Sequence, residues 1–211
     1  MTELEAEPAG GAERELDRIA AFTDGVIAIA ITLLVLTIDV PHVTGTDHGE
    51  LADRLLDLWP NLFAYGLSFA VIGRYWIVHH RFFATLERYD ARLVVLNLLF
   101  LAFLVLVPFV SELVGDFRDE TPAAIAYAVA LAAVGICTWA SIRHSTRAGL
   151  VRPDRREQTE RFGSAPALAL PAVFVVSIPV AFFSPTAAQL VWLATVVVHP
   201  SRRWFPRRSS A

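Results

Sequence analysis

Long apolar runs separated by short charged stretches are the feature that most limits how this chain can fold. Several runs reach the roughly 20 apolar residues that an α-helix needs to cross a bilayer core about 30 Å thick. The 211 residues are 55% hydrophobic, which is rare in a soluble domain. The sequence therefore predicts an all-α integral membrane protein with six transmembrane helices. The predicted spans are Ile19–Ile38, Trp59–Val78, Leu93–Val110, Ala123–Ile142, Ala165–Phe183 and Pro185–His199.

The last two runs are the least regular part of this pattern. The sixth has only 15 residues, which is short for a full crossing. Pro185 follows Ser184 at the junction, and proline suits the first position of a helix. A tight turn between two helices is therefore expected, with fusion of the two runs into one broken helix as the main alternative.

Arginine placement predicts the orientation, because cytoplasmic loops of membrane proteins carry an excess of basic residues. All 18 basic residues are arginines. With a cytoplasmic N-terminus, the inner segments hold 15 of them, the outer loops hold Arg54 and Arg118, and Arg74 lies within the second span. This division favours a multi-pass protein of the cell membrane with both termini in the cytoplasm.

The sequence divides into two tails and one membrane domain. Residues 1–17 hold six acidic residues and one arginine, together with Pro8, Gly10 and Gly11, which is typical of a disordered tail. Residues 18–200 form the predicted six-helix domain, and residues 201–211 form a basic C-terminal tail.

Sequence motifs for enzyme chemistry are absent. There is no glycine-rich phosphate loop, HExxH or GxSxG, and the single cysteine, Cys137, cannot form an intrachain disulfide. His79 and His80 are neighbours on a helix and point about 100° apart, so they cannot easily chelate one ion together. The sequence predicts no enzyme, no cofactor, no metal site and no nucleic-acid partner.

Asp24 is the most informative residue of the first run, because an acid within a membrane helix is costly and must face protein or water. At 100° per residue, Asp24 points about 140° away from Ile29. The residues that share the face of Ile29 are Phe22, Gly25, Thr32, Leu33 and Leu36. Asp24 and this stripe therefore face different surroundings.

Polar residues of the second and third runs lie at the same predicted depth as Asp24. Trp76 and His79 are three residues apart and share a helix face, and Asn97 is near the start of the third run. A buried network of these four residues would satisfy donors and acceptors that lipid cannot. Possible counter-charges for the acid are Arg18 and Arg74.

Three blocks in the first half of the chain carry a family resemblance. They are Arg18-x-x-x-Phe22-Thr23-Asp24-Gly25, then Trp76-x-x-His79-His80-Arg81, then Leu96-Asn97-Leu98-Leu99 through Pro108-Phe109. In this order they resemble the signature of the bacterial members of the transmembrane protein 175 family of potassium channels. The one departure is Thr23, which stands where the family has serine.

The resemblance implies a homotetramer in the lipid bilayer whose first helices surround the pore axis. It implies an apolar constriction at Ile29, Leu33 and Leu36 and a selectivity role for Thr32. The implied function is passive, potassium-preferring cation conduction. One threonine ring cannot replace a whole hydration shell, so weak selectivity is expected. The implied packing network that holds the pore helices comprises Arg18, Phe22, Thr23, Asp24, Trp76, His79 and Asn97.

Three other functions compete with this interpretation. A proton- or cation-coupled secondary transporter would need ionisable groups near the bilayer midplane and usually an internal repeat. Asp24 and His79 lie instead near one end of their spans. A membrane-embedded enzyme would need convergent nucleophiles, acids or metal ligands, which the spans lack. A structural membrane module would conduct no ions.

Overall fold

The computed structural model describes residues 10–41, 48–162 and 165–197. These residues form helices joined by short turns, so the all-α prediction is confirmed for this part of the chain. Two 3₁₀ turns lie at Leu34–Thr37 and Pro153–Arg155. The helices are α1 (Gly10–Leu33), α2 (His48–Asp57), α3 (Trp59–Phe83), α4 (Ala91–Leu104), α5 (Val107–Asp116), α6 (Thr121–Arg147), α7 (Arg156–Phe162), α8 (Ala165–Ala181) and α9 (Pro185–Val197).

Three helical segments of the described chain are long and apolar enough to cross a membrane: Glu13–Thr37, Ala91–Asp116 and Thr121–Arg147. A fourth span results if Leu51–Asp57 and Trp59–Phe83 are joined across their 45° bend. Ala167–Ala181 is a shorter apolar helix. The chain is thus a multi-pass membrane protein.

The third span is longer than predicted and is broken near its middle. It runs from Ala91 to Asp116 rather than ending at Val110, and the break separates α4 from α5. Pro108 accounts for this break, because proline has no backbone N–H to donate to the carbonyl of Leu104 one turn earlier.

The last two apolar runs form two helices that turn back on each other. Ser184 accepts a hydrogen bond from the backbone N–H of Ala187 at 3.2 Å and so caps the start of α9. Farther along, the indole N–H of Trp192 donates to the hydroxyl oxygen of Ser177 on α8 at 2.7 Å. These contacts favour the turn over one continuous broken helix. Residue His199, the predicted end of the sixth span, lies outside the described residues.

The N-terminal segment corrects part of the prediction of a disordered tail over residues 1–17. Helix α1 begins at Gly10, so residues 10–17 are helical. Leu16 is buried in a cluster with Phe82 and Leu86, and the carboxylate of Glu13 accepts a hydrogen bond from Arg152 at 3.2 Å. Residues 1–9 of the acidic tail and the basic tail 201–211 lie outside the described residues.

The connection that follows α3 packs against the connection that follows α6, next to the N-terminal part of α1. Gly149 has a positive φ of 67°, which suits glycine and ends α6. The chain then pairs with the connection between α3 and α4, through an antiparallel bridge between Leu86 and Val151 and a 2.9 Å bond from the Arg152 N–H to the Thr85 carbonyl. The resulting assembly, residues 84–87 with 149–152, is called the loop platform below.

Helix α6 forms the centre of the bundle and packs closely against α8. At Gly135 a Cβ atom would meet the Pro171 Cβ and the Tyr75 hydroxyl, each at 2.7 Å, so the close crossing requires glycine. The Tyr75 hydroxyl donates to the carbonyl of Leu131 at 2.9 Å and ties α3 to the same region. This core fixes α3 and α4, against which α1 packs.

Candidate functional site in the first helix

Helix α1 has two distinct faces. Its buried face packs on α3, α4 and α5 and comprises Thr23, Ile27 and Ala30, and Leu34 continues it in the 3₁₀ turn that follows. Its exposed face is apolar: Ile29 is 60% exposed and Leu36 is 73% exposed. We call this exposed face the α1 stripe; it comprises Phe22, Ile29, Thr32, Leu33 and Leu36.

The 3₁₀ turn at the end of α1 keeps the stripe in register. A 3₁₀-helix has three residues per turn, so residues three apart eclipse each other. Leu36 therefore stays on the face of Leu33 although the helix type changes. The Thr32 hydroxyl donates to the Ile29 carbonyl at 2.8 Å, which leaves lone pairs of its oxygen as acceptors on the exposed face.

A buried chain of hydrogen bonds joins the opposite face of α1 to α4 and α3. The Asn97 amide donates to the Thr23 hydroxyl oxygen at 2.8 Å, and Thr23 in turn donates to the Ile19 carbonyl at 2.9 Å. The Oδ1 atom of Asn97 lies 2.8 Å from His79 Nε2. Thr23, His79 and Asn97 are all buried.

The direction of this chain determines the tautomer of His79. Thr23 uses its only proton on Ile19, so it accepts from the Asn97 amide nitrogen. The Asn97 amide oxygen then faces His79, whose Nε2 must carry the proton. The imidazole is stacked between Phe83 and Phe100, with ring centroids 4.2 and 5.0 Å away.

Asp24 forms a second, more exposed contact beside this chain. The indole N–H of Trp76 donates to Asp24 Oδ1 at 2.8 Å, and His80 Nδ1 lies 3.9 Å from Asp24 Oδ2. Trp76 and His80 are one turn apart on α3, with ring centroids at 5.6 Å. The expected single network is thus two groups, Asp24 with Trp76 and His80, and Thr23 with Asn97 and His79.

The residues predicted as counter-charges for Asp24 form other contacts. Arg18 is 77% exposed at its side chain and pairs with Glu15 at 2.7 Å. Six residues of α-helix separate it from Asp24, which is about 9 Å along the axis. Arg74 donates to the Thr195 carbonyl on α9 at 2.6 Å. Phe22, which the family resemblance also assigned to the packing network, is instead exposed on the α1 stripe.

Sequence reasoning did not identify His80, Phe83 and Phe100 as part of the site. Helical spacing could have indicated the first two, because His80 follows Trp76 by four residues and Phe83 follows His79 by four. Phe100 follows Asn97 by three residues on α4, and its contact with His79 depends on how α4 packs against α3. No local pattern indicates that packing.

Comparison with known proteins identifies the family. Residues 18–108 match the family described as endosomal/lysosomal potassium channel TMEM175. A protein named as a potassium channel in Chamaesiphon minutus is 34% identical over 210 residues, covering 94% of this chain and 97% of its own. A protein named as a potassium channel in Streptomyces collinus is 40% identical over 139 residues, covering 64% of this chain and 66% of its own.

A solved structure agrees with both the fold and the sequence match. The crystal structure described as a lysosomal potassium-selective channel TMEM175 homolog from Chamaesiphon minutus superposes with a TM-score of 0.72 at 33% identity. The superposition covers 87% of this chain and 95% of that one. Nearly complete coverage of a full-length relative excludes a match confined to one shared segment. This chain therefore belongs to the TMEM175 family, in its single-repeat bacterial form.

Proposed function

We propose that this chain is the subunit of a homotetrameric, potassium-preferring cation channel of the cell membrane. Four copies of α1 surround the pore axis with the α1 stripe facing inward. The conduction is passive and requires no covalent chemistry. The proposal rests on family membership and on one structural observation, the exposed apolar face of α1.

The exposure of the α1 stripe carries the proposal. Ile29 and Leu36 are open on a helix whose other face is buried against three neighbouring helices. Lipid could cover an apolar face of this kind, but the name of the full-length relative, a potassium channel, favours a conducting axis. Apolar rings at Ile29, Leu33 and Leu36 would then form a constriction that gates by dewetting.

Small residues beside the stripe support close approach of neighbouring copies of α1. Ala21, Gly25 and Ala28 are all exposed, and a Cβ at Gly25 would meet no atom within 4 Å. Small residues are favoured at helix interfaces in membranes because they let backbones approach. The single chain leaves this space open, and a second α1 can fill it.

Thr32 supplies the polar ring of the proposed pore. Its oxygen lies among apolar neighbours and keeps free lone pairs while its proton is donated to Ile29. Four such oxygens would replace only part of the hydration shell of a cation. We expect potassium to be preferred over sodium only modestly.

The two polar groups on the opposite side would hold the pore helix in position. Asn97 and His79 fix the buried face of α1, and Trp76 fixes the flank at Asp24. In this proposal six spans cross the membrane, α8 and α9 each cross once, and both termini are cytoplasmic. The 15-to-2 division of arginines supports this orientation.

Ion flux into liposomes that contain the purified protein tests the function. Potassium and sodium fluxes are measured in parallel, without a pH gradient, and the mass of the assembly is measured in the same preparation. The proposal predicts flux of both ions with potassium faster, from an assembly of four subunits. Flux that needs a proton gradient would indicate a coupled transporter instead.

A Thr32→Ala variant tests the selectivity role separately. Removal of the hydroxyl ring should reduce the ratio of potassium to sodium flux while conduction remains. An unchanged ratio would show that Thr32 does not determine selectivity, and the proposal of a channel would remain.

A further inference from the structure

The end of α6 carries a stripe that changes from aliphatic to aromatic to basic along the helix. Ile136 is exposed, Trp139 is half-buried, and Arg143 and Arg147 are exposed. Arg143 and Arg147 are four residues apart and so lie one above the other on the helix surface. Aromatic residues followed by basic ones mark the boundary between hydrocarbon and headgroups in membrane helices.

Arg143 is oriented by its aromatic neighbour. Its guanidinium carbon lies 5.1 Å from the centroid of the Trp139 ring, within the range of a cation–π contact. This contact restrains the guanidinium, and its N–H groups make no hydrogen bond to a described residue. This geometry suits a phosphate, which arginine can bind through two parallel hydrogen bonds.

The charge environment distinguishes this pair from the neighbouring arginines. Arg152 and Arg156 each lie within 4 Å of a carboxylate, namely Glu13 and Glu160. Within the part of the chain that the structure describes, the guanidinium groups of Arg143 and Arg147 have no carboxylate at such a distance and no hydrogen-bond partner; the backbone carbonyl of Arg143 accepts from Thr146. Their charge is therefore available to an external anion.

Asp90, an acid near the end of α6, already contacts a histidine on another face of that helix. Asp90 lies 2.7 Å from His144 Nε2, and His144 is 100° round the helix from Arg143. The two arginines thus face outward where the apolar part of α6 meets water. A phospholipid fits this position, because its acyl chains can cover Ile136 while its phosphate reaches the guanidinium groups.

We propose that Trp139, Arg143 and Arg147 bind the headgroup of an anionic phospholipid. In the proposed orientation this lipid belongs to the cytoplasmic leaflet. The acyl chains lie along the exposed face of α6, and the phosphate is shared by the two arginines. The site does not involve the residues of the proposed pore, so its test is independent of the conduction mechanism.

Native mass spectrometry of the purified assembly with added phosphatidylglycerol or phosphatidylcholine tests the site. The double variant Arg143→Gln/Arg147→Gln should bind phosphatidylglycerol about 25-fold more weakly, since each basic residue near anionic headgroups contributes about a fivefold factor. Phosphatidylcholine binding should change little. Arg143→Lys/Arg147→Lys keeps both charges but loses the paired N–H geometry of the guanidinium, so its affinity should lie between those of the wild type and the glutamine double variant.

A matched control removes the same charge elsewhere. Arg155→Gln/Arg156→Gln also deletes two exposed arginines, but each of these is paired with an acid. Its phosphatidylglycerol affinity should stay within about twofold of the wild type, because an adjacent carboxylate already offsets the charge of each of these arginines toward a third group. Equal loss in both double variants would overturn the site in favour of a general charge effect.

Two further outcomes would also overturn the proposal. Unchanged phosphatidylglycerol binding in Arg143→Gln/Arg147→Gln would show that lipid binds elsewhere. Displacement of the lipid by water-soluble glycerol phosphate at equal concentration would show an anion site that does not recognise a lipid. Melting temperature and assembly mass, measured for each variant, verify that it is folded.

Discussion

Asn97 on α4 donates its amide N–H to the hydroxyl oxygen of Thr23 on α1 at 2.8 Å, and both side chains are buried. The bond joins residues 74 positions apart in the chain. It fixes the rotation of α1, because Thr23 lies opposite the exposed Ile29. A polar bond on one face of the helix thereby determines which apolar residues are presented on the other.

Asn97→Ala should destabilise the protein by about 1–3 kcal/mol, because His79 and Thr23 each lose a buried partner. The melting temperature in detergent measures the effect. Asn61→Ala is the matched control: its bond to Asp116 is exposed, so a smaller loss is expected. Equal losses in the two variants would show that burial of the network contributes nothing.

Asp24→Asn should preserve assembly and leave potassium flux within about threefold, because the remaining amide oxygen can still accept from Trp76 and a neutral bond contributes only about 1 kcal/mol. The expectation follows if Asp24 holds the helix and moves no proton. Flux in reconstituted liposomes at several pH values measures it. Loss of a pH-dependent flux in the variant would instead assign Asp24 a role in proton transfer.

Gly135→Ala should destabilise the crossing of α6 and α8 by about 1–3 kcal/mol, because the new methyl would overpack a filled core. The methyl would meet Pro171 and the Tyr75 hydroxyl at 2.7 Å. Gly66→Ala on α3 is the control, since nothing lies within 4 Å of its Cβ position. That variant should be neutral or stabilised by up to about 1 kcal/mol. The reverse order of the two melting temperatures would contradict the packing described for α6.

Asp90 gives the fold a dependence on acid pH. Burial acts to raise the pKa of this carboxyl, but bonds from the Leu93 N–H at 2.8 Å and from His144 at 2.7 Å, with nearby Arg92, outweigh it and hold the pKa below its usual value. A carboxyl with a lowered folded pKa contributes stability that is present above its unfolded pKa of about 3.9. This contribution is lost as the pH falls through the lower folded pKa.

Asp90→Asn separates the charge from the capping bond, because asparagine also caps helix N-termini well. The wild type should melt higher than the variant at neutral pH, and the difference should shrink as the pH falls below about 4. Melting curves between neutral and acid pH measure it. A difference that stays constant down to the lowest pH would show that the charge of Asp90 is immaterial.

The two faces of α1 could be predicted from sequence because helical periodicity is a local property. Phase alone separates Ile29 from Thr23, and the structure exposes the first and buries the second. The contact of Trp76 with Asp24 was also predicted, from their matching depth, and the structure contains it. Its neighbour His80 was missed although it lies one turn along the same face.

The start of α1 could not be predicted from local composition. Acidic residues with glycine and proline favour disorder, yet residues 10–17 are helical. Their stabilising contacts are distant in sequence: Glu13 bonds Arg152, which is 139 residues away, and Leu16 is buried beside Leu86. Such contacts depend on how the loop platform folds, which a local pattern does not contain. The break at Pro108, by contrast, could have been predicted.

The central claim is that the α1 stripe lines the pore, and potassium flux through Ile29→Asn compared with Val176→Asn tests it most directly. Both residues are branched, apolar and exposed, at 60% on α1 and 58% on α8. A polar ring at position 29 should hydrate the constriction and change the potassium flux or the potassium-to-sodium ratio by about tenfold. Val176→Asn should leave both unchanged. If the two variants conduct alike, or if only Val176→Asn alters conduction, the first helix does not line the pore.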